Sequence, residues 1–282
     1  MTLLSGERMP DTPTITPATA DSAIRVLATV RRHHPLVQCL TNTVVAGFTA
    51  NVLLAVGAAP AMVDNTEESA EFAAMAGAVL VNLGALTPEG MSAMRAAVAA
   101  ANRAGTPWVL DPVAVGVLGL RTRFAATLLA ARPAVIRGNP SEVMSLAGVR
   151  GAAGRGVDST STPEQAVVAA VELARRTGAT VAVSGPIDYV TDGSSTLFGR
   201  TGHEIMTRVT GVGCSLGALV AACCAVESSP LVAASAATTI LTVAAERAEA
   251  RSQGPGSFAV ALLDELYLLD AESIRSHVAA AA

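Results

Sequence analysis

The stretch Ala78-Val79-Leu80-Val81-Asn82, the Ala-rich run Pro88–Ala104 that follows it, and then Trp108-Val109-Leu110-Asp111 decide the fold class. Each outer run is short, apolar and unbroken by polar residues. That is the pattern of a strand covered on both faces. The middle run is long enough for several helical turns, and Pro88 suits the first of them. Strand, helix and strand in this order make a crossover unit of a parallel sheet. The same alternation continues on both sides. It predicts strands over Val37–Leu40, Ala61–Val63, Ala134–Arg137 and Thr180–Ser184. Helices are predicted over Ser22–Arg32, Thr43–Val56, Glu67–Ala76, Arg121–Ala131, Pro140–Leu146 and Pro163–Arg176. The pattern then breaks: Ile187–Thr191 and Ser195–Gly199, joined through Asp192-Gly193, read as an antiparallel hairpin. Three helices, Gly213–Val226, Leu231–Arg247 and Gly256–Ala279, are expected to close the chain. The expected class is α/β, with a mostly parallel central sheet flanked by helices and one short antiparallel hairpin. With no internal repeat and no linker, residues 21–282 are expected to form one domain behind a flexible tail at 1–20.

Composition removes several function classes. The chain has 282 residues, 51% hydrophobic and 15% charged, which excludes wholesale disorder. A net charge of −4 argues against nucleic acid as a partner. All 19 basic residues are arginine. Without lysine there is no Walker A loop, no protein-kinase strand lysine and no pyridoxal-phosphate Schiff base. Any phosphate contact falls to arginine, backbone N–H groups and metal. Cys39, Cys214, Cys223 and Cys224 form no C-x-x-C pair and no Cys/His metal spacing, so free thiols in a reducing cytoplasm are expected. Residues 1–20 hold no apolar leader core. The low-charge stretch Gly211–Ala245 has the composition of buried helices, with Ala, Ser, Thr and Gly in place of Leu, Ile and Phe. Glu227 and Pro230 divide it below membrane-spanning length, so no membrane partner is expected.

Ligands of such sheets lie beyond the carboxyl ends of the strands. Polar residues stand at those ends in succession: Thr41-Asn42, Met62 to Asn65, Asn82, Asp111-Pro112, Arg137-Gly138-Asn139 and Ser184-Gly185. Thr210-Gly211-Val212-Gly213-Cys214 then opens an apolar helix. Small residues before a helix start let backbone N–H groups close around an anion, aided by the positive end of the helix dipole.

These motifs, with Pro60-Ala61-Met62, Asn139-Pro140-Ser141-Glu142, Gly156-Val157-Asp158-Ser159 and Asp188-Tyr189-Val190-Thr191-Asp192-Gly193, occur in one order over about residues 22 to 272. Jointly they resemble the hydroxyethylthiazole kinase family. The resemblance implies a ribokinase-like fold and phosphorylation of 5-(2-hydroxyethyl)-4-methylthiazole with ATP and Mg²⁺ in thiamine salvage. It also implies a homotrimer with sites between subunits. In this resemblance Gly211, Gly213 and Cys214 are the catalytic loop, and Met62, Gly211 and Asn42 lie at the thiazole. Arg137, Ser184 and Asn139 lie at ATP, with Ser184 where the family usually has threonine. Asp111 and Glu142 hold Mg²⁺, directly or through its waters. Cys214 stands where sugar kinases of the wider superfamily carry an aspartate base. A thiol of ordinary pKa, ~8.5, is mostly protonated at neutral pH, although a helix start could lower it.

Each residue also has a plainer reading at this level. Arg137 fits a surface ion pair, Glu142 a favourable helix start, Asp111 a turn, and Met62 and Cys214 ordinary core. Arg121 and Arg123 fit either phosphate closure or solvent. Two rival functions remain open: a kinase of another small heteroaromatic alcohol, such as a hydroxymethylpyrimidine or a pyridoxal-like vitamin, and a nucleotide-binding protein without turnover. A dinucleotide-binding dehydrogenase lacks an early G-x-G-x-x-G.

Overall fold

Alternate residues of the central strands face two different apolar layers, and that period of two builds the molecule. The computed structural model describes residues 13–149 and 163–281. In chain order the elements are β1 (Thr14–Pro17), α1 (Ala20–His33), β2 (Leu36–Leu40), α2 (Ala46–Ala55), β3 (Ala59–Ala61), α3 (Ser69–Met75), β4 (Ala78–Asn82), α4 (Pro88–Ala104) and β5 (Trp108–Asp111). They continue with α5 (Gly119–Leu129), β6 (Val135–Gly138), α6 (Pro140–Ala147), α7 (Pro163–Thr177), β7 (Thr180–Val183), β8 (Asp188–Thr191) and β9 (Ser195–Gly199). After a 3-10 turn at Glu204–Arg208 come α8 (Val212–Cys224), α9 (Pro230–Glu249), α10 (Pro255–Leu268) and α11 (Ala271–Ala280).

The strands form one sheet in the order β1-β9-β8-β7-β6-β5-β4-β2-β3, parallel except where β8 runs against β7 and β9. Ala78, Leu80, Val109, Val135 and Ala182 join the layer of α1, α2, α8, α9 and α10. Their chain neighbours Val79, Val81, Leu110, Ile136, Val181 and Val183 join the layer of α4, α5, α6 and α7. Trp108 is fully buried in that second layer and satisfies its indole N–H on Asn102 Oδ1 at 3.1 Å. The chain leaves β2 outward for β3 and returns to β4 on the other side of β2. The helix after β2 and the helix after β4 therefore cover opposite faces. The carboxyl ends of those two strands flank the switch point of the sheet, where the ligand crevice of such sheets usually lies.

Three expectations need correction. Residues 1–20 are not a tail throughout: Thr14–Pro17 pair in parallel with Ser195–Phe198 as an edge strand, and residues 1–12 lie outside the described residues. The edge strand expected at Ala61–Val63 is β3, two residues earlier. The expected helix Gly256–Ala279 is two helices, because Asp270 turns extended and caps the second by accepting from Ser273 N at 2.8 Å. The motif Gly156–Ser159 also falls outside the described residues. Helix α9 is long and apolar enough to cross a membrane by length and composition, and 78% of that apolar window is buried inside the protein.

Candidate active site

The same period of two decides which side chains reach the crevice. Asn82, Asp111, Arg137 and Ser184 each stand two residues beyond a position of the α8 layer: Leu80, Val109, Val135 and Ala182. All four strand ends therefore project their side chains toward α8. In the register Asn82 lies opposite Asp111. Its Nδ2 donates to Asp111 Oδ2 at 2.7 Å, and its Oδ1 accepts from Gly84 N at 2.9 Å and from Asn42 Nδ2 at 3.5 Å.

Helix α8 reaches this group through its glycines. Gly211, at φ 93°, has the left-handed backbone that favours glycine. A Cβ there would also stand 3.2 Å from Val45 Cβ, at the start of α2. A Cβ at Gly213 would lie 3.2 Å from Arg137 Nη1, and one at Gly217 would lie 3.3 Å from Asp111 Oδ2. Small residues thus set the helix against the arginine and the carboxylate. Among the described residues no side chain caps the start of α8, and its first turn has no acidic residue, which leaves its first N–H groups open to an anion.

Arg137 Nη2 donates to Ser184 Oγ at 2.8 Å, while its Nε is buried and finds no acceptor among the described residues. Thr41 Oγ1, next to Asn42, is likewise buried without a partner among the described residues. A buried guanidinium donor left unmade is costly, and a bound phosphate is the kind of acceptor that relieves it.

Glu142 is nearly buried, and both its oxygens accept backbone bonds: Oε2 from Asn139 N and Oε1 from Ala114 N, each at 2.9 Å. Asn139 Oδ1 in turn accepts from Glu142 N at 2.9 Å, which completes a capping box on α6. Ala114 adopts φ 60° to present that N–H, a strained conformation for a residue with a side chain.

Burial pushes the Asp111 carboxyl up to about 7, against the pull of Arg137, and the charge of Glu142 pushes the same way. Asp188 at the start of β8 is pushed up to about 6, also chiefly by burial. Its Oδ1 accepts from Gly185 N at 3.0 Å and so steadies the turn that carries Ser184. The Cys214 thiol goes up to about 11 through burial and the neighbouring charge of Asp111. At neutral pH the free thiol is therefore uncharged.

Cys214, Gly213, Arg137, Ser184, Asp111, Asn82 and Asn42 form one group, with Glu142 and Asn139 at its border. Gly211 joins it through Val45 and Phe48. Met62 stands apart, just past edge strand β3, and packs partly against the core of the α8 layer. Asn82 was visible in the sequence only as one strand end among several. Asp188 gave no separate signal, and the Ala114 amide gave none, since a non-glycine left-handed residue cannot be read from residue type. Arg121 is a strut: it donates to Gly84 O at 2.6 Å and Val113 O at 3.2 Å. The exposed Asp64, Glu67 and Glu68 belong to a helix start, where Asn65 Oδ1 accepts from the Glu67 and Glu68 amides at 3.0 and 2.9 Å.

A family model described as the Hydroxyethylthiazole kinase family matches residues 27–272. A protein of Kineococcus radiotolerans named hydroxyethylthiazole kinase is 58% identical over 92% of this chain and 94% of its own. One of the same name from Cronobacter sakazakii is 56% identical over 87% of this chain and 92% of its own. Among solved structures, a hydroxyethylthiazole kinase of Pyrococcus horikoshii superposes with a TM-score of 0.84 at 39% identity, covering 91% of this chain and 96% of that one. A ribokinase-like superfamily protein of Enterococcus faecalis shares the fold, with a TM-score of 0.67 at 10% identity, over 94% of this chain and 100% of that one.

Proposed function

The chain belongs to the hydroxyethylthiazole kinase family, and from that premise we infer that it transfers the γ-phosphoryl group of ATP to the hydroxyl of 5-(2-hydroxyethyl)-4-methylthiazole, a step of thiamine salvage. The observation that carries this reading is the uncapped glycine start of α8 held against Arg137 and Asp111.

Phosphoryl transfer passes through a loose transition state, so positioning and charge neutralisation do most of the work. The first N–H groups of α8 face the γ-phosphoryl oxygens and stabilise the charge that develops there. Arg137, with a free Nε–H, takes a phosphate oxygen, and Ser184 holds its other edge. Asn42 lies on the acceptor side and hydrogen-bonds the alcohol, with Met62 against the flat sulfur heterocycle. Asn139 acts at the nucleotide through the α6 start that it caps.

The donor chemistry fits Mg²⁺. Asp111 and Glu142 are hard oxygen donors, and the charge of Glu142 adds to the cost of ionising Asp111, a cost that a divalent cation lowers. Asp111 would hold the ion directly, and Glu142, with both oxygens on backbone N–H groups, would hold it through water. Mg²⁺ would neutralise charge on the β- and γ-phosphates. A neutral thiol cannot take the alcohol proton, so Cys214 shapes the acceptor pocket and the proton leaves late, to the transferred phosphoryl group. A homotrimer in the cytoplasm belongs to the same reading.

Thiazole-dependent ADP release, run with and without Mg²⁺ against a panel of heteroaromatic alcohols, tests it. Turnover should need both Mg²⁺ and the thiazole alcohol. A preference for a hydroxymethylpyrimidine or a pyridoxal-like alcohol would move the reading to another kinase. ATP binding with no alcohol-dependent turnover would end it.

A further inference from the structure

Asn82 has no solvent access, yet it lies among polar groups at the crevice and not within either apolar layer. Its orientation follows from its neighbours. The Gly84 backbone N–H can only donate, so the atom facing it at 2.9 Å is the carbonyl Oδ1, and the NH₂ is thereby turned onto Asp111 Oδ2 at 2.7 Å. The same Oδ1 meets Asn42 Nδ2 at 3.5 Å, at the outer limit of a hydrogen bond and in position to tighten. Gly84 leaves the room for this arrangement. A Cβ there would lie 2.3 Å from Asn42 Nδ2 and 2.8 Å from Asn82 Oδ1. Arg121 ties the Gly84 turn to the turn after Asp111 through Gly84 O and Val113 O. The asparagine thus joins two strand ends across the switch point of the sheet, β2 and β5, through β4 between them.

We propose that Asn82 is a positioning residue that fixes Asn42 and Asp111 in one geometry, so that a single buried amide couples the acceptor side of the site to its metal side. This rests on the thiazole kinase reading above. Partners one layer behind a ligand-holding carboxylate typically change metal affinity or activity about 10–100-fold when removed. A residue that serves both sides should move both binding constants together, which a general loss of stability does not do.

The test is Asn82→Leu, which keeps the branching of the side chain and removes its hydrogen bonds to both partners. The half-saturating Mg²⁺ concentration and the KM for the thiazole alcohol should each rise at least tenfold. Calorimetric binding of a non-hydrolysable ATP analogue with Mg²⁺, without any alcohol, should weaken alongside the Mg²⁺ constant. A folded Asn82→Leu protein with either constant within threefold of the parent overturns the proposal. If that variant does not fold, Gly84→Ala serves: it displaces Asn42 and Asn82 without touching Asp111, and should raise both constants, whereas an unchanged pair overturns the proposal. A parent protein without thiazole-dependent turnover would refute the kinase reading instead. In that event an unweakened analogue affinity in Asn82→Leu still overturns the metal-side coupling.

Discussion

Helices α6 and α8 both begin at the carboxyl edge of the sheet, α6 three residues after Arg137 and α8 with Gly213 against its guanidinium, and their first turns are built oppositely. At α6 the donors are consumed by the helix's own side chains: Asn139 and Glu142 bond each other's backbone, and a carboxylate already sits on the positive end of the dipole. At α8 no side chain among the described residues caps the turn, its first turn holds no acid, and Gly211 brings the chain in through a left-handed backbone. A helix start whose donors are used up is scaffold, while one left open beside a buried arginine is a place for phosphate. The closed start also serves the open one. Its Glu142 reaches across to the strained Ala114 amide and holds the loop after Asp111.

The comparison is most exposed to Gly213→Ala. The added methyl meets Arg137 Nη1 and narrows the open turn, so kcat should fall about 100-fold, the scale of losing one charge-stabilising donor. Stability should hold or rise slightly, because alanine is the better helix former by about 1 kcal/mol. A stopped-flow or steady-state kcat with a thermal midpoint reads both.

The next effect is on pH. The carboxyl of Asp111 is pushed up to about 7 in the folded chain, against an ordinary value of about 3.9. Folding therefore favours its protonated form. The stability cost of ionising it grows as pH rises from about 4 and is complete above about 7. Asp111→Asn should raise the thermal midpoint of the unliganded protein at pH 8 and leave it nearly unchanged near pH 4. Metal competes with that proton, so Mg²⁺-dependent nucleotide binding should weaken about tenfold per pH unit below 7. Binding that stays flat between pH 5.5 and 8 would remove Asp111 from the metal side.

Cys214 should matter less. With the thiol pushed up to about 11, about one molecule in ten thousand is ionised at pH 7. Cys214→Ala should lower kcat by less than about tenfold, and Cys214→Asp should keep or raise it. Abolished turnover in the alanine variant with binding intact would assign the thiol a chemical role.

The smallest effect belongs to the closed start. Asn139→Ala removes one cap, worth about 1 kcal/mol. In a protein of this size that is roughly 2–4 °C of thermal midpoint. Its kcat loss should be well below that of Gly213→Ala, so the two variants invert each other's pattern.

Much of this was legible in residue types. The runs at Ala78–Asn82 and Trp108–Asp111 are strands to the residue, because apolar strands buried on both faces leave little choice of boundary. The period of two that turns Asn82, Asp111, Arg137 and Ser184 toward one helix was also present in the sequence. It became decisive only once the layer on each face was known. Edge strand β1 carries no sequence signal because all four of its residues are exposed, and Pro13 before it and Pro17 at its end suit a loop equally well. The division of α10 from α11 was missed because apolar periodicity runs through Leu269 and the capping Asp270 looks like any acidic helix residue. The Glu142 bond to Ala114 depends on a backbone angle that no residue type announces.

The most direct test of the open helix start is thiazole-dependent ADP release by the parent and Gly213→Ala proteins, at saturating Mg²⁺ and ATP. The account predicts turnover that needs the thiazole alcohol in the parent, and about a 100-fold lower rate in a variant of equal or higher thermal midpoint. Equal rates in the two proteins would contradict it.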